Sequence, residues 1–376
     1  MSNVKVVEVE LLDSALREHY GPTMRIAEEQ AILGERKGKW RIVSKQTYET
    51  RVMEPRRLNE ALGVEDMLKK PSSTKGVKKK KVAWVQDFSR IGGAELSNKE
   101  VVRVGMDCGF DIFTLTQKNG GSDFNEILSS VDLIILNNIF GFSQDLMNKI
   151  LKAIYLNQVP YVKYEHDHRE LNRPEFSRKL FTNSILNVFL SPIHLDNYQQ
   201  ALGCDGICLP LAIDVNLFHL IPSIERRLNT ALVCNVRNFK SWKNLQTYIT
   251  IHPEIIFTVL SNEGLPVHGD NVKISPMVPY EKMPEIYSAY QYLVHLLDGW
   301  GANERVVWEA SLCGCQVVAN KMVGALSWGN EGFNINLTSG IVIREWLEKA
   351  PYLFWHEVSD RMEKVNSKSQ EVACEA

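Results

Sequence analysis

The amino-acid sequence predicts an α/β chain of two Rossmann-like lobes. Each lobe is a parallel sheet covered by helices, and the two sheets face a cleft. Three observations carry this reading. The chain has 376 residues, 44% hydrophobic and 9% aromatic, which is enough apolar material for more than one core. From Val82 onward, short and nearly unbroken apolar runs alternate with helical patterns, and a strand without polar alternation is one covered on both faces. Between Pro210 and Arg227 the alternation stops, and then it starts again, which sets two lobes in series.

Residues 1–80 form an accessory α+β element with a basic linker. Ser14–Tyr20, Thr23–Glu35 and Pro55–Leu68 read as helices, and Lys39–Lys45 as a strand. The polar, lysine-rich stretch from Pro71 to Lys81 is the linker. The first lobe, 81–209, runs from the strand Val82–Phe88 to a helix over Glu95–Gly105 and a strand at Asp111–Thr116. It continues with a strand at Val131–Asn138, a helix over Ser143–Asn157, and strands at Val159–Asp167 and Leu186–Pro192. The second lobe, 210–350, has strands at Thr230–Val236, Glu254–Leu260, Asn271–Pro276, Tyr292–Leu297 and Gln316–Asn320. Helices over Ser241–Thr250, Tyr280–Tyr290 and Asn303–Gly314 separate them. Residues 351–376 are expected to provide a helix bracing the lobes, with a frayed tail from Ser367.

Net charge is −2 and pI about 6.5, so there is no overall basic footprint of the kind that neutralises nucleic-acid phosphates. The opening residues carry charges where a signal peptide needs an apolar run, and no stretch reaches the roughly 18 apolar residues of a membrane span. A cytoplasmic location is expected. Seven cysteines, several in apolar segments, suit reduced thiols, and none of the spacings matches a zinc-finger ligand set. No metal site is expected.

Four segments carry candidate chemistry. Gly92 and Gly93 follow the first strand and open a helix; paired glycines let backbone approach a ligand, and a helix start offers unpaired N–H groups to an anion. The same pair also suits a plain turn. Tyr164–His168 is an ionisable cluster at the carboxyl end of a strand, where His166 could bond a hydroxyl or support developing charge. A metal pair with His168 or a solvated loop are the competing readings. Arg237, Lys240 and Lys243 lie between a strand and a helix start, and can neutralise a phosphate leaving group or simply be solvated. Finally, Asp298–Ala310 joins a glycine-rich turn to a helix with Glu309 among apolar neighbours. A buried carboxylate is costly unless paired or facing a cleft, and a ribose diol is a suitable partner.

The order of these blocks across residues 82 to about 350 resembles the retaining GT-B glycosyltransferases of family 4. The resemblance rests on Gly92-Gly93-Ala94-Glu95, His166-Asp167, Ser191-Pro192-Ile193-His194, Pro210–Phe218, Arg237 with Lys243, Val278–Tyr287 and Glu309. It implies sugar transfer from a nucleoside-diphosphate sugar to an acceptor hydroxyl with retained anomeric configuration. The catalytic set would be His166, Arg237 and Lys243. The donor would meet Gly92, Gly93, Arg237, Lys243, Gly301, Glu304 and Glu309, with no cofactor and no metal. In the family, a second Glu lies eight positions before the one matched by Glu309; here that position is Gly301, with Asp298 and Glu304 nearby. The acceptor, whether glycan, lipid, small molecule or modified DNA, and the oligomeric state are left open. One rival is transfer to a nucleic-acid base or a protein, with Arg56, Arg57 and Lys78–Lys81 as a contact patch. The other is a silent nucleotide-sugar binding or scaffold protein.

Overall fold

The computed structural model describes residues 35–36, 39–40, 79–86, 92–117, 123–139, 141–234, 242–262, 267–331, 335–336, 338 and 340–375. Arg56, Arg57, Lys78, Arg237 and Lys240 lie outside them, as does most of the 1–80 element. Within that element, β1 (Glu35–Arg36) and β2 (Lys39–Trp40) pair antiparallel.

The first large sheet contains β3 (Lys81–Val85), β4 (Asp111–Leu115), β5 (Leu133–Leu136), β6 (Tyr161–Tyr164), β7 (Leu186–Phe189) and β8 (Ile207–Cys208). Its order is β4-β3-β5-β6-β7-β8, and every pairing is parallel. The helices are α1 (Gly93–Asp107), α2 (Asp123–Ser130), α3 (Gln144–Tyr155), α4 (Pro174–Thr182) and α5 (Pro192–Leu202). Local chemistry sets several boundaries. Ser143 and Ser191 cap α3 and α5 by accepting from Leu146 N and His194 N, and Pro174 and Pro192 occupy the first turn, where a missing N–H costs nothing. Gly203, at φ 68°, ends α5 in the left-handed region.

The second sheet contains β9 (Arg227–Val233), β10 (Ile256–Leu260), β11 (Val272–Ser275), β12 (Tyr290–His295) and β13 (Gln316–Ala319). It is wholly parallel, in the order β11-β10-β9-β12-β13. Its helices are α6 (Trp242–Ile251), α7 (Met283–Ala289) and α8 (Arg305–Leu312). Gly314, at φ 83°, supplies the stop after α8.

The central strands of both sheets are buried on both faces, as the unbroken apolar runs predict, while the edge strands β4, β8, β11 and β13 are partly exposed. One face of the first sheet packs Ala83, Val85, Ile134 and Leu136 on Phe124, Leu128, Leu146 and Ile150. The opposite face joins a larger core that also takes in Leu232, Leu293, Val307 and Trp308 of the second lobe. The lobes therefore share apolar packing rather than touching only through polar loops.

The last helix, α9 (Gly340–Glu375), spans 36 residues, about 54 Å at 1.5 Å per residue. It starts ahead of position 351 and stays helical through the stretch where the sequence suggests fraying. Trp346 packs on Trp308 and Trp328, with ring centroids 5.3 and 4.9 Å apart. Farther along, Phe354 and Trp355 pack on Trp84, and Trp355 Nε1 donates to Val101 O at 2.7 Å. One helix thus packs on both lobes. Among the described residues, no helix is long and apolar enough to cross a membrane.

In each sheet the strand order reverses once, between β3 and β5 and between β9 and β12. Loops leaving the carboxyl ends of strands at such a reversal form the crevice where open α/β sheets bind ligands. Gly92 and Gly93 lie on one such loop, and the 298–304 segment on another.

Candidate functional site

Helix α1 begins at Gly93, with Gly92 extended before it. A Cβ on Gly93 would stand 3.3 Å from Cδ of Arg305, at the start of α8 in the other lobe. The glycine turn and α8 are therefore in direct apposition. The side chain of Glu95 folds over this turn, its Oε2 2.8 Å from where a Cβ on Gly92 would lie.

Arg305 is the centre of the arrangement. Its Nε donates to Glu309 Oε1 at 3.0 Å, and Nη2 to the Tyr280 hydroxyl at 2.7 Å. Nη1 donates to Ser97 Oγ at 2.8 Å and to Ala212 O at 2.6 Å. Tyr280 in turn donates to Glu309 Oε1 at 2.8 Å. Burial opposes the guanidinium charge, yet Glu309 and Tyr280 outweigh it and hold Arg305 above its ordinary value. Sequence reasoning singled out Glu309 and passed over Arg305. The available signal was spacing: an arginine four residues before the buried glutamate on one helix face.

At the end of β6, Lys163 Nζ pairs with Glu165 Oε2 at 2.5 Å, wholly buried, and Glu165 Oε1 accepts from His166 N and Asp167 N. That carboxylate fixes the turn presenting His166. Behind it, the imidazole of His194 accepts from Leu190 N and contacts Asp167 O at 3.1 Å. His166 is half-buried, but its Nε2 is sealed and has no hydrogen-bond partner. Burial pushes its pKa down to about 3, and the nearby Lys163 and Arg305 charges push the same way against Asp167. At neutral pH it is an uncharged imidazole. His168 turns elsewhere: its Nε2 is 3.1 Å from Asn197 Nδ2, and its ring contacts His194. Among the described residues, no group of three or more His, Cys, Asp or Glu is arranged to hold a metal ion.

The loop after β12 is pinned at both ends. Asp298 accepts from Lys243 N and Asn244 N, each at 3.1 Å, so a carboxylate already satisfies donors at the start of α6. The helix start that sequence reasoning took as support for phosphate binding is occupied in this way. Lys243 itself is exposed, with Nζ 5.9 Å from the Trp242 ring centroid. On the other side, Asn303 Nδ2 donates to Leu190 O, Ser191 Oγ to Ala302 O, and Trp328 Nε1 to Leu190 O. This loop is therefore tied to the first lobe.

Between these ties, Gly301 and Glu304 meet. A Cβ on Gly301 would fall 1.4 Å from Glu304 Oε1 and 2.6 Å from its Cδ. The Glu304 carboxylate thus fills the space that a side chain at 301 would enter. Gly93, Ser97, Tyr280, Arg305 and Glu309 converge in one cluster, with Arg305 close enough for its charge to act on His166. Lys243 bonds Asp298 through its backbone N–H, and Arg237 lies outside the described residues.

No family model and no curated protein matches the chain. Solved structures do. The Anabaena protein HepE, in complex with UDP and glucose, is 15% identical with a TM-score of 0.51, covering 79% of this chain and 100% of its own. Sucrose-phosphate synthase from Thermosynechococcus elongatus is 13% identical with a TM-score of 0.53 over 79% of this chain and 100% of its own. An alpha-glucosyltransferase in complex with UDP and a 13-mer DNA containing an HMU base is 10% identical, with a TM-score of 0.53 over 76% and 100%. These neighbours are GT-B glycosyltransferases, and the likeness shows that fold here.

Proposed function

We propose that this chain is a glycosyltransferase that moves a sugar from a nucleoside-diphosphate sugar to an acceptor hydroxyl with retained anomeric configuration. The observation that carries the reading is the apposition of the Gly92-Gly93 turn to Glu309 through Arg305. It sets the glycine turn of one lobe beside a buried carboxylate of the other, and this reading assigns phosphate to the first and ribose to the second. The donor diphosphate would lie between that turn and Arg237 with Lys243, and the ribose hydroxyls would meet Glu309. Glu304 would supply the sugar-side carboxylate that position 301 lacks, consistent with the space it fills.

In the reaction, the bond from the sugar's anomeric carbon to the diphosphate oxygen breaks and a bond to the acceptor oxygen forms. The acceptor proton is released with the nucleoside diphosphate. Charge builds up on the leaving group and, with opposite sign, on the sugar ring, so fixed charges and dipoles supply most of the assistance. Arg237 and Lys243 would balance the diphosphate without a metal. His166, uncharged at neutral pH, would act by hydrogen bonding once ligand binding opens the space around its sealed, unpartnered Nε2, rather than as a charged acid.

The test is incubation with pooled UDP-, GDP- and ADP-sugars and pooled acceptors, read by mass spectrometry. Products that disappear in the R237A/K243A double variant and in E309Q support the reading. Nucleotide binding without turnover over a broad acceptor panel favours the silent scaffold instead. Transfer to a nucleic-acid base is kept as a second reading because one fold neighbour is seen with DNA. Salt-sensitive DNA binding lost on deleting residues 1–80 would favour it.

A further inference from the structure

We propose that Arg305 is a positioning residue, a single side chain that orients Glu309 and fixes the α1 glycine turn against the second lobe. The first half rests on the nucleotide-sugar reading above, and the second on geometry alone. An arginine and glutamate four apart on an exposed helix face contribute little beyond helix stability. This pair differs in three respects. It is buried, with Arg305 7% and Glu309 3% exposed. The guanidinium also bonds groups outside its own helix: Ser97 on α1, Ala212 in the segment joining the lobes, and Tyr280 ahead of α7. Finally, Ser97 lies one turn beyond Gly93 on the same face of α1, so the bond to Ser97 and the contact at Gly93 register one helix against the other.

The fork explains why the residue is arginine. Four donor contacts from one rigid plane fix its orientation, whereas a lysine ammonium cannot reach partners spread around that plane. Arg305 Nε and the Tyr280 hydroxyl both bond Oε1 of Glu309, and Arg305 Nη2 bonds the Tyr280 hydroxyl, closing a three-membered ring. Oε2 takes neither of these two bonds, so the ring sets which carboxylate edge would meet a ribose. Arg305 need not touch the donor to govern how the donor is held.

Two measurements on the full-length protein test this. Hydrogen exchange without ligand compares wild type, R305K and S97A over α1 and over residues 280–290. R305K should raise exchange about tenfold or more in both segments, which lie on opposite lobes, while β5 and β6 keep their protection. Unchanged protection in both segments overturns the bridge. Calorimetry and steady-state kinetics then use whichever of UDP-glucose, GDP-mannose and ADP-glucose the wild type binds. R305K should weaken donor affinity about tenfold or more, the range for losing a charged hydrogen bond. S97A, which spares the Glu309 contact, should leave donor affinity within about twofold and lower kcat several-fold, because it loosens only the register between lobes. R305K with donor affinity and turnover equal to wild type overturns the positioning role. An S97A kcat equal to wild type overturns its lobe-aligning half. Binding of none of these donors by the wild type overturns the nucleotide-sugar reading instead, and hydrogen exchange still decides the bridge.

Discussion

Exchanging the residues at 301 and 304 tests the proposal that Glu304 stands in for a side chain at position 301. In the structure the two positions share one space, since a Cβ on Gly301 would lie 1.4 Å from Glu304 Oε1 and 2.8 Å from Leu297 Cδ1. Gly301→Glu alone must therefore expel the Glu304 side chain or hold two carboxylates together. At about 4 Å separation and an effective dielectric near 20, their repulsion is about 4 kcal/mol, close to a thousandfold if it falls wholly on donor binding. Glu304→Ala empties the space and should raise donor KM about tenfold or more, the cost of a lost charged hydrogen bond. In the double variant Gly301→Glu with Glu304→Ala, one carboxylate again occupies the space, and donor KM should return to within a few-fold of wild type. The assay is steady-state donor consumption with product detection by mass spectrometry, starting with UDP-glucose, and urea denaturation to verify folding. Wild-type donor kinetics in Glu304→Ala, or a double variant worse than both single variants, would refute the reasoning.

Three further outcomes follow from the geometry. Burial holds the folded His166 pKa at about 3, below its unfolded value near 6.5; the stability it contributes is therefore complete above pH 6.5 and is lost as pH falls toward 3. His166→Asn should flatten the fall in unfolding free energy between pH 6 and 4 by up to one proton, about 1.4 kcal/mol per pH unit, measured by urea denaturation across that range. Gly105→Ala would place a methyl 2.3 Å from Trp355 Cε2 and 2.7 Å from Ile112 Cδ1, so overpacking should cost ~1–3 kcal/mol in the same measurement. Asp298→Ala removes both bonds to the start of α6 and should cost ~1 kcal/mol, as loss of a helix cap does, with faster amide exchange at Lys243 and Asn244.

Much of the fold is legible in the sequence because buried parallel strands leave a mark that survives without knowledge of their neighbours. The run at Val131–Asn138 contains the observed strand β5, the run at Tyr292–Leu297 overlaps β12, which starts two residues earlier at Tyr290, and glycine after the α8 pattern supplies the left-handed stop at Gly314. The contents of the site are less legible. Glu309 stands out as a carboxylate in an apolar helix, but its partner Arg305 reads as an ordinary charge until Ser97, Ala212 and Tyr280 are brought to it from 208, 93 and 25 residues away. Asp298 filling the start of α6 is equally invisible, because that carboxylate comes from 54 to 55 residues along the chain. Spacing can suggest that Glu304 replaces the side chain absent at 301, but only the backbone turn between them shows that the two compete for one space.

The most direct measurement is a crystal structure of the full chain with a non-hydrolysable nucleoside-diphosphate sugar in the cleft. The expected result is a diphosphate between the Gly92-Gly93 turn and Lys243, with the ribose hydroxyls on Glu309 and the sugar beside Glu304. A nucleotide seated away from Gly93 and Glu309, with the Arg305 bonds intact, would contradict it.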